Sequence, residues 1–92
     1  MSGQLLKKSR IEKYKIIDSF MKKFLAGFKS IYASVSSSQI YRNLRYKAKV
    51  SPYLINLYLR NIEEINDSQN RKWRVIRREY RRNGIRITLK KI

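Results

Sequence analysis

Between Arg10 and Phe28, apolar side chains recur at steps of three and four residues: Ile17, Phe20, Met21, Phe24, Leu25 and Phe28. That spacing draws one apolar stripe along a helix. Lys13, Lys15, Lys22, Lys23 and Lys29 lie mostly off the stripe, so the pattern predicts a first helix over 10–28, with Gly27 as a stop signal. Residues 1–9 carry no such stripe and read as a flexible basic tail ahead of a single domain, 10–92.

The next signals are local. Ser30-Ile31-Tyr32-Ala33 suits a short strand. Ser36 and Gln39 have capping-box spacing, which predicts a second helix over 37–49 with Ile40, Leu44 and Ala48 facing inward. Val50-Ser51-Pro52 is the sharpest boundary in the chain. A residue before proline avoids helical geometry, serine is a preferred N-cap and proline suits the first helical position. A third helix therefore starts at Pro52 and runs to about 66, with Leu54, Ile55, Tyr58, Leu59, Ile62 and Ile65 inward. Residues 67–71 read as a polar loop.

From Trp73 to Lys91 the pattern changes to strands around Asn83-Gly84, a strong short-range hairpin signal. A two-residue turn at that pair sets Tyr80 opposite Ile87 and Arg78 opposite Leu89. Ile76, Tyr80, Ile85, Ile87 and Leu89 then share one face, and Arg77, Glu79, Arg81, Arg86, Thr88 and Lys90 the other. Trp73, Ile76 and Tyr80 also fit helical spacing, so a helix is the competing reading of the first half.

Charge changes the picture more than composition does. The 92 residues hold 23 Lys and Arg against six Asp and Glu, a formal charge of +17. So much charge of one sign repels itself unless a polyanion or counterions sit nearby. Residues 71–92 are the most basic stretch, with Glu79 as their one acid. There is no histidine and no cysteine. This removes the usual general base, the usual metal ligands, disulfides and thiolate chemistry. On a helix Glu63 and Glu64 diverge by about 100° and do not converge on one substrate. A binding protein is expected, not an enzyme, with no cofactor and no metal. No apolar run spans a membrane and the N-terminus is not a secretory signal. The expected setting is the cytoplasm, in association with the nucleoid.

The order helix, short strand, helix, tight turn, helix, hairpin, carried by SSSQIYRNLRYKAKVSPYLINLYLRNIEEI and WRVIRREYRRNGIRITLKK, resembles a winged helix-turn-helix domain. The chain looks most like small transcription regulators of the PadR and multiple-antibiotic-resistance types. Ile40 and Leu44 match the inward positions of the first motif helix. Val50-Ser51 matches the turn and cap of the second, Ile55, Leu59 and Ile62 its apolar ladder, and RRNGIRITL the wing. The resemblance implies an α+β, three-helix winged domain with a C-terminal β-hairpin wing. It implies double-stranded DNA as partner, with the third helix in the major groove and the wing beside it. The candidate contacts are Arg42, Arg45, Lys47, Lys49, Ser51, Tyr53, Asn56, Arg60, Arg77, Arg81, Arg82 and Arg86. Asn56 suits adenine and Arg60 suits guanine. The free N–H groups after Ser36 suit a phosphate.

The third helix departs from the family pattern in its low positive charge and in Tyr53 and Leu57, which suit a protein partner. A small basic accessory subunit of a replication, transcription or ribosomal machine is therefore the alternative. Either a monomer or a homodimer fits.

Overall fold

The computed structural model describes the backbone of residues 2–82 and 84–92 and the side chains of 11–82 and 84–92. Its elements are α1 Ser2–Ala26, β1 Tyr32–Ser36, α2 Ser37–Leu44, α3 Pro52–Asn61, β2 Glu64–Asn66, β3 Lys72–Arg81 and β4 Gly84–Lys91. The strands form one antiparallel sheet in the order β1-β4-β3-β2. The fold class is α+β, in two layers. Alternate residues of the sheet, among them Ala33, Val35, Ile65, Trp73, Ile85, Ile87 and Leu89, are buried against Ile17, Met21, Leu25, Ile40, Ile55 and Leu59 of the helices. The helices thus cover one face of the sheet. The opposite face lies open to water, as an antiparallel sheet permits.

Both predicted helix starts are present. Ser36 is extended (φ −112°) and its hydroxyl accepts from Gln39 N at 3.3 Å. Ser51 accepts from Leu54 N at 3.2 Å, with Pro52 at the first helical position. The ends differ from expectation. α2 stops at Leu44, five residues early, because Val50 must return to the core, where it is 4% exposed. Residues 45–49 form a turn that hangs on the Leu44 carbonyl through the N–H groups of Lys47 and Ala48.

α3 stops at Asn61, and the segment expected to continue it becomes β2, with Ile65 opposite Trp73. Ile62 turns extended (ψ 133°). Arg78 of β3 reaches this helix end. Its Nε donates to Leu59 O at 3.1 Å, and its Nη2 donates to Ile62 O and, at 3.4 Å, to Glu63. A cation at a helix C-terminus satisfies free carbonyls and complements the helix dipole. Glu64, now on a strand, pairs with Lys72 and Arg74 at 3.0 Å each.

The hairpin forms, with a shifted register. Arg81 pairs with Gly84, Tyr80 with Ile85 and Arg78 with Ile87, so Tyr80 and Arg78 each meet a residue two places earlier than expected. Asn83, half of the turn signal, lies outside the described residues. A bulge between Val75 and Arg77 then resets the alternation. Trp73 and Val75 face the helices, and Ile76, expected inward, is 50% exposed. α1 runs from Ser2, ahead of the start expected at 10. Residues 4–8 are good helix formers, and adding turns to an existing helix is far easier than starting one.

One predicted loop is a structural joint. Asp67 is buried, 5% exposed. Its Oδ1 accepts from the N–H groups of Gln69 (2.9 Å) and Arg71 (3.0 Å). Its Oδ2 accepts from Arg71 Nε (2.9 Å) and from the Trp73 indole (3.0 Å). Arg71 Nη2 continues to Ala26 O at 2.9 Å, which ties the sheet to the end of α1. Burial alone would raise the Asp67 carboxyl, but these hydrogen bonds outweigh it and hold its pKa at about 2. Among the described residues, no helix is long and apolar enough to cross a membrane.

Candidate nucleic-acid interface

The cations of α2 and the turn after it are held outward by what the same segment buries. Ser37, Ile40 and Leu44 anchor α2, and Val50 anchors the turn. Arg42, Arg45, Lys47 and Lys49 are thereby left on the surface, with Ser51, Tyr53 and Arg60 of α3 exposed beside them. The chain has no acid between Asp18 and Glu63. Among the described residues, none of these five cations has a carboxylate within 4 Å. The Arg45 guanidinium lies 4.6 Å from the centre of the Tyr46 ring, a cation–π contact that steadies the side chain and keeps its charge. Arg45, Lys49 and Ser51 meet at a cleft of about 300 Å³ between α2 and α3, with Tyr41 and Pro52.

The hairpin tip is clamped to the start of α2. The Ser37 hydroxyl, buried, accepts from Ile85 N at 3.1 Å. Gly84 sits against it with φ at +157°, and a Cβ there would lie 1.9 Å from Ser37 Oγ. Only glycine allows so close an approach. Arg81, Arg82 and Arg86 consequently line one cleft of about 240 Å³ with Ser36, Ser37 and Ser38. The tip arginines therefore stand beside the N-terminal end of α2. Arg81 is shared with Glu79, at 3.2 Å.

Other expected contacts are not brought to this surface. Asn56 is half-buried and points at the hairpin. Its Oδ1 is buried without a hydrogen-bond partner among the described residues, and lies 3.5 Å from where a Gly84 Cβ would stand. The side chain is thus turned into the α3–β4 contact and is not presented on the exposed surface of α3, where the adenine contact was expected. The Ser51 hydroxyl is engaged as a helix cap. Arg77 stands opposite Thr88 on the open face of the sheet, away from the helices.

That open face is a second charged surface. The register brings Arg74 beside Lys90, Arg77 beside Thr88 and Glu79 beside Arg86. Tyr32 and Ser34 of β1 continue the rows. Glu64 and Glu79 are its acids, and ion pairs hold both carboxyls below their usual range. For Glu64 the cause is hydrogen bonding to Lys72 and Arg74. For Glu79 it is the Arg81 hydrogen bond and the nearby Arg77 charge. Sequence patterning placed Arg77, Arg86 and Lys90 on this face. The addition of Arg74 depends on the bulge, for which the sequence has no signal.

Compared with protein-family models, curated proteins and solved structures, the chain matches none.

Proposed function

We propose that this chain binds double-stranded DNA mainly through its phosphates, using α2, the turn after it, the start of α3 and the hairpin tip. The observation that carries this is the set Arg42, Arg45, Lys47, Lys49 and Arg60, exposed and, among the described residues, without a carboxylate within 4 Å. Surface cations of one sign without acid partners attract a polyanion. Arg81, Arg82 and Arg86 add their charge at the tip, beside the start of α2. The element order supports the winged helix-turn-helix reading, with the PadR and multiple-antibiotic-resistance regulators as the likeness and the nucleoid as the setting.

With Asn56 turned inward, Tyr53, Arg60 and Asn61 are the exposed polar groups left on α3 for reading bases, and the Asn61 amide already donates to Leu57 O, so sequence preference is weak. A transcription role on this reading rests on general duplex binding more than on a sharply defined site. The test is the triple variant R45A/K47A/K49A on mixed-sequence duplex. Losing three phosphate contacts lowers the slope of log affinity against log salt by about 2–3. An unchanged slope removes this surface from the proposal.

One observation favours the second reading, an accessory subunit that docks on protein. Ile11, Tyr14, Leu54 and Leu57 line an apolar groove of about 350 Å³ between α1 and α3. Tyr53, on the same helix, is 67% exposed. Apolar side chains open to water at one place mark contact surfaces. On that reading R45A/K47A/K49A leaves the salt slope unchanged, and Leu57→Asp abolishes docking.

A further inference from the structure

We infer that the open face of the sheet is a second duplex-binding surface, so that one copy of the chain bridges two segments of DNA. The inference rests on the proposed function for the first surface and adds a second one on the other side of the molecule. The helices pack on one face of the sheet, so the cations of α2 and those of the open face point away from each other. One duplex gripped by α2 and the tip leaves Arg74, Arg77 and Lys90 uncovered.

The open face has the chemistry of a phosphate-binding surface. Lys72, Arg74, Arg77 and Lys90 stand against Glu64 and Glu79. Each acid is already shared between two cations. Among the described residues, Lys90 has no carboxylate within 4 Å. Lys90 lies 5.8 Å from the centre of the exposed Tyr32 ring across the strand pair.

The same rows argue for a duplex over an unpaired strand. Single-strand platforms stack successive bases on several aromatic rings. Here Tyr32 is the exposed ring, and its row continues with Ser34 and Ser36. Hydroxyls and cations suit phosphate oxygens, which a duplex presents in two regular rows.

The test fixes one mixed-sequence duplex on beads and measures capture of a second, fluorescent duplex by the full chain. Anisotropy reports binding to a single duplex alongside. The unaltered chain captures the second duplex. The variant R74E/K90E binds a single duplex within about threefold of the unaltered chain but captures roughly tenfold less of the second. The neutral variant R74Q/K90Q, which keeps both strands free of new acids, shows a smaller loss of capture and covers the case in which R74E/K90E does not fold. Capture by folded R74Q/K90Q at the unaltered level overturns the inference. So does an unaltered chain that saturates a single duplex and captures no second. If the unaltered chain binds no duplex at all, the proposed function itself has failed.

Discussion

The corner around Asp67 and the surface of α2 handle charge in opposite ways. At Asp67 every polar atom is engaged: one carboxylate takes four donors, and Arg71 goes on to the end of α1. Along α2 and its turn, Arg42, Arg45, Lys47 and Lys49 stand outward with no acid in reach among the described residues. In the first region charge builds the fold. In the second the fold holds charge in place for something else. Pairing, more than the number of charges, separates the two roles: a buried carboxylate that takes four donors is spent within the fold, whereas surface cations in excess of their acids keep charge for a partner.

Substitutions at the two regions should therefore fail in different assays. Asp67→Ala strands the Trp73 indole and two backbone N–H groups in a buried site. Chemical denaturation should show a loss of about 3 kcal/mol. The pH dependence sharpens this. The Asp67 carboxyl titrates at about 2 in the fold against an ordinary 3.8. It contributes stability that is complete above the ordinary value and is lost as pH falls from there through about 2. Asp67→Asn should lack that acid-sensitive component. If both proteins lose stability alike between pH 4 and 2, the corner is not held as described.

Gly84→Ala comes next. The new methyl meets the Ser37 hydroxyl, which cannot move without giving up the Ile85 N–H. A cost of about 2 kcal/mol is expected in thermal unfolding. The variant should also lose some DNA affinity, because the tip arginines swing away from α2. Arg45→Ala belongs to the other region. It should leave stability within about 0.5 kcal/mol and weaken duplex binding by about 1 kcal/mol in a titration at low salt. A stability loss as large as that of Asp67→Ala would erase the contrast. The smallest effect is expected at Asn56. Its buried Oδ1 has no partner among the described residues, so Asn56→Leu should change stability by less than about 1 kcal/mol and leave sequence preference unaltered. A change in preference would return Asn56 to the base-reading set.

Much of this was legible in the chain. The serine caps at Ser36 and Ser51 read true because capping is a local matter, settled within four residues. The stripe of α1 and the hairpin were legible for the same reason. What escaped depended on distant partners. A three-residue step from Ile62 to Ile65 looks helical by itself, and pairing with Trp73 makes it a strand. The bulge near Ile76 and the pairing of Arg81 with Gly84 reset the hairpin register in a way that alternation alone does not reveal. Asp67 read as loop because its donors, from Gln69, Arg71 and Trp73, converge on it only once the chain has turned back, with Asn70 at φ 65°. At the candidate interface the exposed cations were found by charge and helical phase. Their division between two surfaces was not, since which face of a sheet the helices cover is a tertiary fact. The acid-free stretch from Asp18 to Glu63 was the available signal for the α2 surface.

The central claim is that unpaired cations on α2, its turn and the hairpin tip grip duplex phosphates. The most direct test is a titration of the full chain against mixed-sequence duplex and single-stranded DNA at about 50 and 200 mM salt. Some five to eight phosphate contacts predict duplex affinity falling by about two to four powers of ten between those salts, with duplex preferred over single strand at both. Weak binding to both forms, with little response to salt, would contradict the account and leave the apolar groove between α1 and α3 as the surface to pursue.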